Sequence, residues 1–218
     1  MVLVFKFNTE FEAERVSETI KRMEWFLANG YKPRLPAGIG AENPTKEQIA
    51  EAVGKEFAEK EYSNAAEQIS KDFASFENEF LRILEKITKI KMPEEFEVFL
   101  TKYGVGGSYF LPNKVILNFA NYKPEQRAKT IAHEIVHLAI EEQIRKYKIP
   151  HWQKERIVDL ILTNERLKCL NYDFWQKDYH GFEKPTDNFF KELFFKSPEL
   201  FFQKISQANQ ANSTGKTG

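Results

Sequence analysis

Residues 128–159 read AKTIAHEIVHLAIEEQIRKYKIPHWQKERIVD, and this stretch decides how the rest of the chain is read. Within it, His133-Glu134-Ile135-Val136-His137 falls inside a run that is apolar nearly all round: Ile131, Ala132, Ile135, Val136, Leu138, Ala139 and Ile140. The spacing predicts a helix opening at Pro124, with Glu125 beside it, and fraying at Arg145, Lys146 and Lys148. At 100° per residue, positions four apart share a helix face, so both imidazoles can reach one cation. Glu134 stands beside the first ligand, where a carboxylate bonds to a metal-bound water rather than to the metal.

Two plainer readings compete. With 4 His in 218 residues, chance alone produces about 0.01 such pentapeptides when positions are treated as independent. Either imidazole alone could be a satisfied core histidine, but a pair with a carboxylate between them must find partners or lose hydration without compensation. A catalytic zinc takes three protein ligands and keeps a fourth position open. The extended His-x-x-Gly-x-x-His pattern is absent, because Ile140 and Gln143 stand where its glycine and third histidine would be. The third ligand is instead expected at Glu155, near the start of a helix beginning around Pro150 and reaching about Cys169. His137 and Glu155 come level in a helix hairpin only if the turn is centred at residue 146. Asp159, one turn beyond Glu155, suits a carboxylate that accepts the second ring N–H of a ligating His. The plain alternative for Glu155 and Asp159 is a solvated face beside Lys154 and Arg156.

Around this motif the composition is ordinary. Hydrophobic residues make up 42% and charged residues 29%, and 32 basic side chains cancel 32 acidic ones, which removes the electrostatic case for a nucleic-acid partner. A single cysteine, Cys169, excludes an internal disulfide framework and a multi-cysteine metal site. The start of the chain lacks the features of a signal segment and no apolar run suffices for a membrane span, so a cytoplasmic location is expected.

Residues 2 to 7 alternate like a strand, and Thr9 with Glu12 reads as the capping box of a helix ending at Asn29-Gly30. Residues 30–44 carry Pro33, Pro36, Gly38 and Gly40 and read as a connecting loop, with a lid as the alternative. Thr45 and Gln48 form a second capping box, opening a helix to about Tyr62. A longer helix then places Ile69, Phe73, Phe76, Phe80, Ile83, Ile87 and Ile90 on a heptad stripe, either a dimer seam or a face buried against the protein's own sheet. After Pro93, three strands are expected at 96–103, 108–111 and 115–119. Residues 187–205 form one or two short helices broken at Ser197-Pro198. Their Phe189, Phe190, Phe194, Phe195, Phe201 and Phe202 fill an interior or, alternatively, face a protein partner. From Gln207 to Gly218 the composition predicts a disordered tail.

The order His133-Glu134-x-x-His137 followed by Glu155-x-x-x-Asp159 resembles the signature of the gluzincins, the thermolysin-like zinc metallopeptidases. In that family a strand hairpin precedes the active-site helix, and residues 107–111 turning at Pro112-Asn113 into 115–119 are similar in order and placement. The resemblance implies Zn2+ at His133, His137 and Glu155, a general base at Glu134, Asp159 orienting a ligand histidine, and an extended peptide or protein substrate. The chemistry also follows without the family. Zinc lowers its water's pKa to ~7, Glu134 takes the proton, and the attack falls on a peptide carbonyl polarised by the metal. An oxyanion donor is expected at His180 or Tyr179, with Tyr172 and His151 as lesser candidates. The peptide deformylases share the two-histidine helix, but their cysteine ligand precedes it, whereas Cys169 follows. The fold class expected is α+β of zincin type, one domain over 1–206 with an N-terminal part to residue 92 and a catalytic part over 93–206. The rival is a zinc-stabilised interaction module without turnover. A further alternative is a peptidase whose first 90 residues cover its own cleft.

Overall fold

The computed structural model describes residues 2–173 and 178–214. In chain order the elements are β1 (Val2–Lys6), α1 (Thr9–Lys21), α2 (Met23–Ala28), α3 (Lys46–Glu56), α4 (Glu59–Ala74), α5 (Glu77–Thr88), β2 (Glu95–Thr101), β3 (Gly107–Phe110) and β4 (Lys114–Asn118). They continue with α6 (Pro124–Lys146), α7 (His151–Leu162), a 3-10 segment over Glu165–Leu170, α8 (Glu183–Phe189), a π-helical turn over Phe190–Phe194 and α9 (Pro198–Thr214). The architecture is α+β with a small mixed sheet. The division into compact units follows packing rather than chain order: residues 1–75 with 93–134 form one, and 76–92 with 135–218 the other.

The first unit is built on the sheet, whose strand order is β1-β2-β4-β3. β1, β2 and β4 run parallel, with Val98 opposite Val115, and β3 pairs antiparallel with β4. Parallel neighbours need long crossovers, so β1 reaches β2 only after an intervening run of helices, whereas β3 and β4 are joined by a tight turn. The central strands carry the apolar load: Phe96, Val98 and Leu100 are buried along one face of β2, and the consecutive Val115, Ile116 and Leu117 are buried on both faces of β4. β3 is left at the sheet edge and is only half-buried.

Against this sheet unit α1 buries Glu12, Arg15, Val16 and Thr19 along one face. Val16 packs with Ile49, Val53 and Tyr103, and Leu35 and Ile39 close over them. The loop over 30–44 is thus tied down by its apolar residues and by backbone bonds between Arg34 and Gly104. The Glu12 carboxylate accepts hydrogen bonds from Tyr62 Oη, Thr101 Oγ1 and Lys102 N. Burial pushes its pKa up, against the lowering effect of those donors.

The second unit is helical. Phe190, Phe194, Phe201 and Phe202 are buried and pack against one another, Phe194 stacked on Phe190 at 4.6 Å between ring centroids and edge-to-face with Phe201 at 5.2 Å. These phenylalanines fill an interior of their own unit, because the π-helical turn and α9 bring their apolar faces together. Arg156 on α7 forms a two-bond pair with Asp187 on α8, Nε to Oδ1 2.8 Å and Nη2 to Oδ2 2.7 Å. The adjacent Gln153 donates to Thr186 and accepts from Asn209.

Several element boundaries differ from the sequence reading. The first helix is capped by Asn8, whose side chain accepts from Phe11 N, and not by Thr9, which is already helical. The Thr45–Gln48 box forms, but its helix stops at Glu56, because Phe57 turns extended and stacks on Tyr62 at 4.7 Å. The long heptad helix is broken at Phe76, whose φ of −129° leaves the helical region. Its stripe is buried from Ile69 to Ile87, and α5 packs on the 3-10 segment at 165–170. The helix expected to reach Cys169 ends at Leu162 and gives way to that 3-10 segment. α9 continues through 207–214, where composition predicts disorder, with Asn209 anchored to the buried Gln153. The last four residues of the expected tail lie outside the described residues. No helix among the described residues is long and apolar enough to cross a membrane.

Candidate metal centre

α6 carries the central pair. Ile131, Ala132, Ile135, Val136, Ala139 and Ile140 are all buried, which explains why the sequence is apolar on nearly every side of this helix. In that setting His137 is 2% exposed and Glu134 6% exposed, while His133 is half-buried. The helix runs through Lys146 and the next starts at His151, so the turn lies over 147–150, two to three residues past the centre that the spacing predicts. Lys148 adopts a left-handed φ of 51°, Ile149 N donates to Ile144 O, and Pro150 starts the next helix in extended conformation. The reversal brings Glu155 level with His137: Nε2 and Oε2 are 3.3 Å apart. One donor atom from each of His133, His137 and Glu155 lies within 4.8 Å of the others.

One of these separations matches ligand spacing around a metal ion. Donors at ~2.0–2.1 Å around a tetrahedral zinc stand about 3.3–3.4 Å from one another, the separation of His137 Nε2 and Glu155 Oε2. A hydrogen-bonded His–Glu pair would account for that one contact. It does not account for His133, a turn earlier on the same helix face, converging on the same point. Two imidazoles and one carboxylate are a donor set suited to zinc.

The surroundings of Glu155 orient its second oxygen. Lys154 Nζ lies 3.6 Å and His151 Nδ1 3.7 Å from Oε1. Burial pushes the His151 imidazole below its usual pKa, opposed by the charge of Glu155. Glu155 and Asp159 are 7% and 1% exposed, so neither belongs to a solvated face. The Asp159 carboxylate accepts from Tyr179 Oη and, at 3.3 Å, from Tyr172 Oη. Tyr179 is itself buried, and the Arg156 guanidinium sits 5.0 Å from its ring centroid.

The site residues expected from sequence thus separate into groups. His133, His137 and Glu155 come together, and Asp159 lies buried on the same helix as Glu155. Tyr179 and Tyr172, considered as oxyanion donors, are engaged with Asp159 instead. The His180 side chain is 56% exposed and rests on Trp152 at 4.7 Å, and His151 also lies against the Trp152 ring, at 4.8 Å. Cys169 lies in the 3-10 segment outside the ligand group, and burial pushes its thiol pKa up, away from the thiolate a metal requires. Gly107, the first residue of β3, lies directly against the Glu134 side chain. Comparison with protein-family models, with curated proteins and with solved structures finds no match to this chain.

Proposed function

We propose that the protein is a zinc-dependent metallopeptidase of the gluzincin type, with a zincin-like arrangement of an edge strand before the metal-bearing helix. The observation that carries this reading is the convergence of His133, His137 and Glu155, with Glu134 adjacent to the first ligand on the same helix. A zinc ion held by these three residues supplies an acidified water, with a pKa of ~7, and a Lewis acid for a peptide carbonyl.

The chain's own residues do the rest. Glu134 accepts the proton of the attacking water at a carboxylate oxygen and later passes it to the leaving amine. Asp159, held by two tyrosine hydroxyls, orients a ligand imidazole. Among the described residues no strand pairs with the outer side of β3, so an extended peptide can pair there by main-chain hydrogen bonds, beside Gly107 and Glu134. The candidates for the oxyanion donor are His180 and His151, which single alanine variants would separate by their kcat.

The test joins metal content with turnover. Purified protein should carry about one zinc per chain and cleave members of a quenched-fluorescent peptide library. Glu134→Gln should keep the zinc and lose cleavage, and His137→Ala should lose both. Cleavage retained by Glu134→Gln, or none by zinc-saturated wild type, overturns the proposal.

A further inference from the structure

Glycine at position 107 is not explained by backbone conformation. Its φ lies outside the left-handed region, and it pairs with Leu117 as an ordinary residue of β3. What sets it apart is the Glu134 side chain, which any Cβ at this position would displace. A Cβ built there would stand 2.0 Å from Glu134 Oε1, 2.7 Å from its Cδ and 3.1 Å from its Cγ. Real Cβ atoms do not approach so closely, so the carboxylate of Glu134 occupies the volume that any other residue would fill. The Glu134 backbone cannot retreat, because it lies between buried Ile131, Ala132, Ile135 and Val136 on α6.

The next residue ties this wall to the interior. Ser108 Oγ donates to Gly107 O at 2.7 Å and accepts from Arg15 Nη2 at 3.2 Å. Arg15 is only 8% exposed, its Nε makes no hydrogen bond, and the same Nε would lie 2.8 Å from a Cβ at Gly104. A guanidinium buried with so few direct bonds needs nearby negative charge. The carboxylates whose charge acts on it are Glu12, one turn earlier on α1, and Glu134.

We propose that Gly107 and Ser108, held in place by Arg15, form a seat that fixes the side-chain position of Glu134, making them positioning residues for the group that moves the proton. This rests on the peptidase reading for its purpose but not for its geometry. The test therefore has one arm that needs no turnover. In a strand, Gly→Ala ordinarily stabilises by restricting the unfolded chain. Here Gly107→Ala should lower the melting temperature of the metal-free full-length protein by several degrees. In a Glu134→Ala background, where the clashing atoms are gone, the same change should lower it by less than half as much, or raise it. Equal effects in the two backgrounds, or no loss in either, overturn the seat.

The second arm uses wild type that cleaves peptide. Ser108→Ala and Gly107→Ala should each reduce kcat, the latter at least tenfold, with KM and zinc affinity within twofold of wild type. Arg15→Met should reduce kcat similarly, and Arg15→Lys should recover part of the loss. A change confined to KM or to zinc affinity overturns the positioning role. If wild type cleaves nothing, the peptidase reading fails while the melting cycle still decides the seat.

Discussion

Replacing Glu155 with Ala tests the metal centre most directly, because it removes one ligand and leaves the histidine helix intact. Structural zinc sites with four ligands bind with apparent free energies of about 10–16 kcal/mol, so one ligand accounts for roughly 2.5–4 kcal/mol. At 1.4 kcal/mol per tenfold, this is a weakening on the order of 100-fold, within limits of roughly 60-fold to 700-fold. The geometry supports a value inside that range. Glu155 Oε2 already stands at ligand separation from His137 Nε2, and the residue is only 7% exposed, so bulk water is poorly placed to replace it. The assay is a chelator competition titration, paired with melting curves of each variant with and without zinc. Comparing each variant with its own metal-free form cancels whatever the substitution does to the apo fold. At a fixed free-zinc level above both dissociation constants, the zinc-conferred stabilisation should fall by about 3 kcal/mol. A Glu155→Ala protein that binds zinc within threefold of wild type would refute the convergence of the three side chains.

Other expectations follow from neighbouring contacts. Tyr179→Phe removes a donor from buried Asp159 and should weaken zinc binding by roughly tenfold or more with Glu155 intact; unchanged affinity in the same titration would detach Asp159 from the centre. Phe194→Ala should cost about 3–5 kcal/mol in urea unfolding, because its fully buried ring contacts Phe190, Phe201 and Phe202, and a loss under about 1 kcal/mol would contradict the packing. For Glu12, desolvation raises the folded-state pKa above the unfolded value, so the folded protein holds the proton longer and stability falls as pH rises through that interval. Glu12→Gln should therefore gain stability relative to wild type as pH rises from about 4.5 through the raised value, and level off above it; a stability difference between the two that does not change over that window would refute the assignment.

The two-histidine helix was legible because 3.6-residue periodicity and ligand spacing are both local properties. Turn position was legible to within two to three residues for the same reason: Lys146 ends one helix and Pro150 caps the next, which places Glu155 beside His137. Breaks inside helices were not legible. Phe57 and Phe76 leave the helical region even though their apolar spacing continues the helix pattern, and Phe57 does so while stacking on Tyr62. The tail beyond Gln207 looked too polar to order, yet Asn209 reaches the buried Gln153.

By itself the sequence determined the α+β class, the strand hairpin before the two-histidine helix, and the identity of the convergent side chains, since each depends on residues close in the chain. Only the tertiary structure decided that Tyr179 and Tyr172 serve Asp159, that His180 faces solvent beside Trp152, and that Gly107 yields its side-chain volume to Glu134. Those outcomes depend on which distant segments share one small space, and residue spacing carries no information about volume.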